Sequence, residues 1–140
     1  MIKVLVIIFV MIMASCTKTQ VSKTELIGKF SVTSNNDPKK EDLDLIFLTE
    51  SFGMLTELEF FETGFLKGIV EGDPFGTGVN YGYSFDSIKW KLDKNEITFT
   101  IPSKNDKGEQ NETIKKLQIS KKNNNIVLKT KNVVYNLKKI

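Results

Sequence analysis

The sequence predicts an all-β domain, a small up-and-down antiparallel barrel of about eight strands. Three observations predict it. From Glu25 onward apolar and polar residues alternate along short runs, a period of two. No run of helical period reaches about ten residues in that stretch. Most runs are joined by breaks of hairpin length rich in Gly, Asn and Asp, too short for the crossovers that parallel strands need. Consecutive hairpins favour a meander, and closing a meander into a barrel removes its exposed edges.

The elements follow in order. Leu26 to Ser34 (LIGKFSVTS) is the first strand, ended by the turn-rich stretch Asn35 to Asp42 around Pro38. Leu43 to Thr49 (LDLIFLT) fits either a buried strand or a short helical turn. Met54 to Phe61 (MLTELEFF) sets Leu58 and Phe60 on one face and Glu57 and Glu59 on the other. Glu62-Thr63-Gly64 makes the hairpin loop, with Gly64 free to take positive φ, and Phe65 to Glu71 (FLKGIVE) returns. Gly72 to Asn80 (GDPFGTGVN) is a long loop, either a plain connection or a binding loop at the barrel mouth. Tyr81 to Leu92 (YGYSFDSIKWKL) is one long strand or two short ones, with Ile88, Trp90 and Leu92 inward and Lys89 and Lys91 outward. After a turn at Asp93-Lys94-Asn95, Glu96 to Ile101 (EITFTI) groups Ile97, Phe99 and Ile101. Pro102 to Asn111 is a second polar loop. Thr113 to Ser120, Ile126 to Thr130 and Val133 to Ile140 are the closing strands, and Lys131-Asn132 suits a two-residue hairpin because Asn tolerates positive φ.

The first residues carry an address. Lys3 gives a positive start, Val4 to Met13 is apolar, and the small residues Ala14 and Ser15 precede Cys16. The apolar run is about ten residues, half the roughly twenty that a spanning helix needs, so it fits the core of a secretory signal instead. Met13-Ala14-Ser15-Cys16 resembles the lipobox of bacterial lipoproteins, with Met13 where Leu is usual. The resemblance implies a signal peptide over residues 1–15, acylation and cleavage at Cys16, and a mature chain starting there. The rival is an ordinary signal with an incidental cysteine. Cys16 is the one cysteine of the chain and has no disulfide partner, which favours lipid. Residues 16–24 then form a polar tether and residues 25–140 the barrel. In the lipoproteins that this segment resembles, an acidic run after the cysteine can mark export to the cell surface; none follows Cys16, so the resemblance implies the periplasmic side of the outer membrane.

Composition narrows the chemistry. Histidine and arginine are absent, and lysine supplies all twenty basic residues. No triad, Cys–His pair or His-ligated metal site can be built, and the bidentate clamp for phosphate is missing. Carboxylates and lysines alone do not suggest catalysis, so the expectation is a non-enzyme with no metal and no cofactor. Lysines outnumber acids after Asp86, but they alternate with apolar residues along strands. That reads as a solvated barrel face rather than a nucleic-acid surface.

The domain opens on Leu26-Ile27-Gly28-Lys29-Phe30 and continues with the hairpin Leu58-Glu59-Phe60-Phe61-Glu62-Thr63-Gly64-Phe65. Trp90 stands before Asn95-Glu96-Ile97-Thr98, and the chain closes on Leu117, Asn125-Ile126-Val127-Leu128 and Tyr135 to Ile140. This order, spanning Glu25 to Ile140, resembles the lipocalin-like domain of small bacterial lipoproteins. Phe30 stands where that family has Trp, and Lys138 or Lys139 could cover the ring by cation–π contact in place of the family's arginine. The resemblance implies an eight-stranded barrel with a cup for a small apolar molecule. Its walls would be Phe60, Phe65, Tyr83, Phe85, Trp90, Phe99 and Tyr135, apolar with a few polar tips. Two readings stand side by side: an open cup for a ligand, or a filled core in a module that meets an envelope protein partner.

Overall fold

The computed structural model describes residues 20–34, 53–72, 77–79, 81–131 and 133–140. Leu43 to Thr49, Cys16 and most of the long glycine-rich loop lie outside them.

One helical turn precedes the strands. α1 (Lys23–Leu26) starts on a capping box: the Glu25 N–H donates to Ser22 Oγ at 3.3 Å, and the Ser22 N–H donates back to Glu25 Oε2 at 2.9 Å. Each satisfies a donor the helix start leaves free. The strands are β1 (Gly28–Ser34), β2 (Gly53–Phe60), β3 (Phe65–Gly72), β4 (Tyr81–Asp93), β5 (Glu96–Lys104), β6 (Gln110–Lys122), β7 (Asn125–Lys129) and β8 (Val134–Lys139). Each pairs antiparallel with the next, and β8 pairs back onto β1, giving a closed barrel of eight strands among the described residues. The all-β meander expected from the period of two is therefore the fold.

Alternation places the core. Phe30, Leu58, Phe60, Leu66, Ile97, Phe99 and Leu137 are buried to 2% exposure or less, and the residues between them along each strand turn outward. Tight turns fix the register. Asn123 and Asn124 both take positive φ, 49° and 65°, the requirement of a type I′ hairpin between β6 and β7. The Thr130 N–H donates to the Val133 carbonyl at 2.9 Å, which closes a two-residue loop between β7 and β8.

The two ends of the barrel differ. At one end lie α1, the loop Phe61–Gly64, the turns at Lys94–Asn95 and Asn123–Asn124, and the last residue, Ile140. Val21 and Leu26, at 3% and 0% exposure, join the core from beneath and close this end. Their burial contributes about 2 kcal/mol each. The polar stretch from Cys16 thus gives way to packed structure by Val21, and the first strand starts at Gly28 rather than Leu26. Gly28 makes the corner with φ 125°; a Cβ there would lie 3.0 Å from Lys139 Cε.

At the other end the wall parts. The last β4–β5 pair is Lys89↔Thr100, and the first β6–β7 pair is Gln118↔Lys129. Beyond them, Ile101–Lys104 pair only with Gln110–Thr113, and Gln110–Leu117 have partners only on β5, among the described strands. The polar stretch read as a loop over Pro102 to Asn111 is thus half strand, with a turn confined to 105–109 in which the Asn105 side chain accepts from the Lys107 and Glu109 N–H groups. Pro102 lacks an N–H, which argues against a central strand; it stands just past the last β4 partner, where a strand tolerates it.

Candidate functional site

The barrel interior is where the sequence points, and its closed half is packed with rings. Phe60 is the hub. Its ring meets Phe30 edge-on at 5.9 Å and Trp90 edge-on at 5.5 Å, and lies tilted 6.5 Å from Phe99. Trp90 is anchored by its indole N–H, which donates to the Phe65 carbonyl at 3.0 Å, while its backbone N–H donates to Gly64 at 2.8 Å. Lys23 Nζ stands 5.9 Å from the Trp90 ring, and Lys139 Nζ stands 5.7 Å from the Phe30 ring while donating to the Ile27 carbonyl at 3.0 Å. Of the two lysines expected to cover Phe30, Lys139 does so.

Of the expected cup residues, Phe60, Trp90, Phe99 and Tyr135 come together in the core at 6% exposure or less. Tyr83 and Phe85 pair with Val70 and Gly68 in the ladder; their side chains lie outside the described set. The β3–β4 register slips by one residue between Leu66 and Gly68. Phe85 and Trp90 differ in parity along β4, and a regular strand would not have given both the same face.

Phe65 is a correction. It is 42% exposed and pairs with Lys89 on the outer face, while Leu66, fully buried, takes the inward place opposite Phe60 and Ile88. The loop 61–64 sets Phe60 against Leu66, so Phe60 and Phe65 cannot share a face. The loop length held that information, and ring size alone misled.

Lys115 is the residue that sequence reasoning missed. It pairs with Phe99 and alternates with Leu117 and Ile119, both 3% exposed, so it belongs to the inner face of β6. In Lys115-Lys116 one ammonium must face inward, because the strand period is two. Lys116 is the outer one and meets Glu96 at 3.2 Å. Ser103 and Thr113 share the inner face near Ile101 and, like Lys115, are half-buried. The inner face therefore changes along the barrel, from rings at the closed end to hydroxyls and one ammonium where the wall parts. An open groove of about 790 Å³ runs along the ribbon there, lined by Pro102–Lys104, Gln110–Glu112 and Ile114.

The acids sit on the outside. Glu57 meets Lys29 at 2.6 Å, and this carboxylate, first by hydrogen bond and then by charge, raises the Lys29 ammonium above the usual lysine range. Glu25 meets Lys121 at 2.6 Å; that hydrogen bond, aided by those from Ser22, lowers its carboxyl to about 2. Among the described residues no three His, Cys, Asp or Glu side chains converge to hold a metal, and no helix is long and apolar enough to cross a membrane. Comparison with protein-family models, curated proteins and solved structures returns no match.

Proposed function

We propose that the chain is a lipid-anchored envelope lipoprotein on the periplasmic side of the outer membrane, and that its lipocalin-like barrel binds a small apolar molecule with an acidic end. The observation that carries this reading is the change along the interior. The ring-packed half leaves its work to structure. The parted half sets the half-buried Ser103, Thr113 and Lys115 beyond the apolar floor that ends at Ile101, and Lys115 is a cation that suits a carboxylate head. The Lys139–Phe30 contact supports the family resemblance, since it supplies the cation over the opening ring. Anchoring rests on the segment ending at Cys16, since stable attachment takes more than one acyl chain and a lipobox cysteine receives them.

The test of binding is a fluorescent fatty-acid probe read by energy transfer from Trp90, the one tryptophan of the chain. Saturable transfer is expected. Lys115→Met should weaken the acid probe several-fold and leave the matching alcohol unchanged. No saturable signal from either probe would refute ligand binding. For the anchor, labelled palmitate should enter the wild type and not Cys16→Ala.

A second reading, a protein-interaction module, draws on the ribbon. Its strands have partners on one side only among the described residues, and Ile114 on its outer face is 61% exposed. A partner could add a strand along such an edge.

A further inference from the structure

We infer that the closed end of the barrel rests on the membrane surface, with Phe61, Phe65 and Ile140 in the headgroup layer and the surrounding lysines on lipid phosphates. This inference rests on the anchoring at Cys16 proposed above, and goes beyond it by assigning the face that meets the lipid.

The first argument is the length of chain before the fold. Val21 is packed into the closed end, and Cys16 precedes it by five positions. A fully extended stretch of that length reaches at most about 18 Å. The thirteen residues of β4 alone measure about 40 Å along the strand. A lipid on Cys16 therefore keeps the closed end, and not the parted end, against the bilayer.

The second argument is what that end exposes. Among the described residues, five large apolar side chains are substantially exposed, and three of them, Phe61, Phe65 and Ile140, lie on the closed rim at 38%, 42% and 64%. They stand at the ends of β2, β3 and β8, with only β1 between β8 and β2. The Phe61 N–H donates to the Phe65 carbonyl at 2.9 Å, and the Ile140 N–H donates to the carbonyl of Lys29 on β1, the neighbour of β2. Exposed apolar side chains are unremarkable singly; a row of them beside a lipid attachment point has a solvent to enter.

The third argument is charge. Lys91, Lys94 and Lys122 are exposed at the same rim, joined by Lys23, Lys138 and Lys139, whereas Glu25 is tied to Lys121 and Glu96 to Lys116, which leaves Glu59, Glu62 and Asp93 to oppose them. Lysine stems lie along apolar surface while the ammonium reaches polar headgroups, and an anionic leaflet attracts such a set.

The test uses the acylated full chain in vesicles of phosphatidylethanolamine and phosphatidylglycerol. Thr63→Cys, in the closed-end loop, and Asp106→Cys, in the β5–β6 turn, are spin-labelled in separate samples; both positions are exposed. The label at 63 should lose accessibility to a water-soluble relaxant several-fold relative to the label at 106, and Phe61→Ser with Phe65→Ser should restore it. If the protein floats with the vesicles and 63 stays as accessible as 106, or 106 is the protected site, the docking inference is wrong while the anchor stands. If the protein does not float, the anchor reading fails and carries this inference with it.

Discussion

Replacing Phe60 by Ala should remove a large part of the stability of the barrel. Phe60 is 1% exposed and touches three other rings, Phe30, Trp90 and Phe99. Truncating a buried Phe costs about 3–5 kcal/mol. The two edge-on contacts, each about 1 kcal/mol, place this one near 5 kcal/mol. With a urea slope near 1.5 kcal/mol/M, the midpoint falls by roughly 3 M. Trp90 lies 5.5 Å from the removed ring and is the sole tryptophan, so its emission follows the transition directly. The control is Phe65→Ala. That ring is 42% exposed on the outer face, and its loss should cost about 1 kcal/mol or less. A Phe60→Ala loss under about 1 kcal/mol, or equal losses for the two variants, would refute the assignment of inner and outer faces on which the site rests.

Other outcomes follow from the same contacts. Gly64 holds φ 86° while a Cβ there would meet nothing closer than 3.7 Å, so Gly64→Ala should cost about 1–2 kcal/mol of backbone strain in urea unfolding without disturbing the core. Glu25 has a folded pKa of about 2 against an ordinary 4.5, so the unfolded chain takes up its proton first as pH falls. Its contribution is complete above about 4.5 and disappears as pH drops through 2; the difference in urea midpoint between wild type and Glu25→Gln should shrink over that window, and a constant difference would show that the Lys121 pair does not persist in solution. Lys115→Met should discriminate acid from alcohol probes as described above, whereas Lys116→Met, on the outer face, should not.

Much of the fold was legible because strand period and hairpin length carry it. Ile97, Phe99 and Ile101 alternate with threonines and a proline, and their burial at 3% or less follows from that pattern. Lys131-Asn132 reads as a turn because Asn tolerates positive φ, and the β7–β8 hairpin closes there. What failed to show has identifiable causes. The turn α1 is four residues long, too short for a periodic signal, and depends on a capping box and on Val21 and Leu26 finding the floor of the barrel. The ribbon from Ile101 to Leu117 is polar because its edges find no neighbour among the described strands, so composition resembled a loop. Phe65 and Lys115 are matters of parity: in Phe65-Leu66 and Lys115-Lys116 either residue could face inward, and only pairing to Phe60 and Phe99 decides.

The seam between β1 and β8 sets an order of events for biogenesis. Ser31 reaches the Lys138 carbonyl across 107 positions, and Val32 pairs with Leu137, both deep in the core. One edge of the first strand therefore stays unpaired until β8, 107 positions along the chain at the Ser31–Lys138 contact, has joined it. Such distant pairing is slow to form. Closure of the barrel is thus the longest-range step of folding, and each shorter hairpin can form before it.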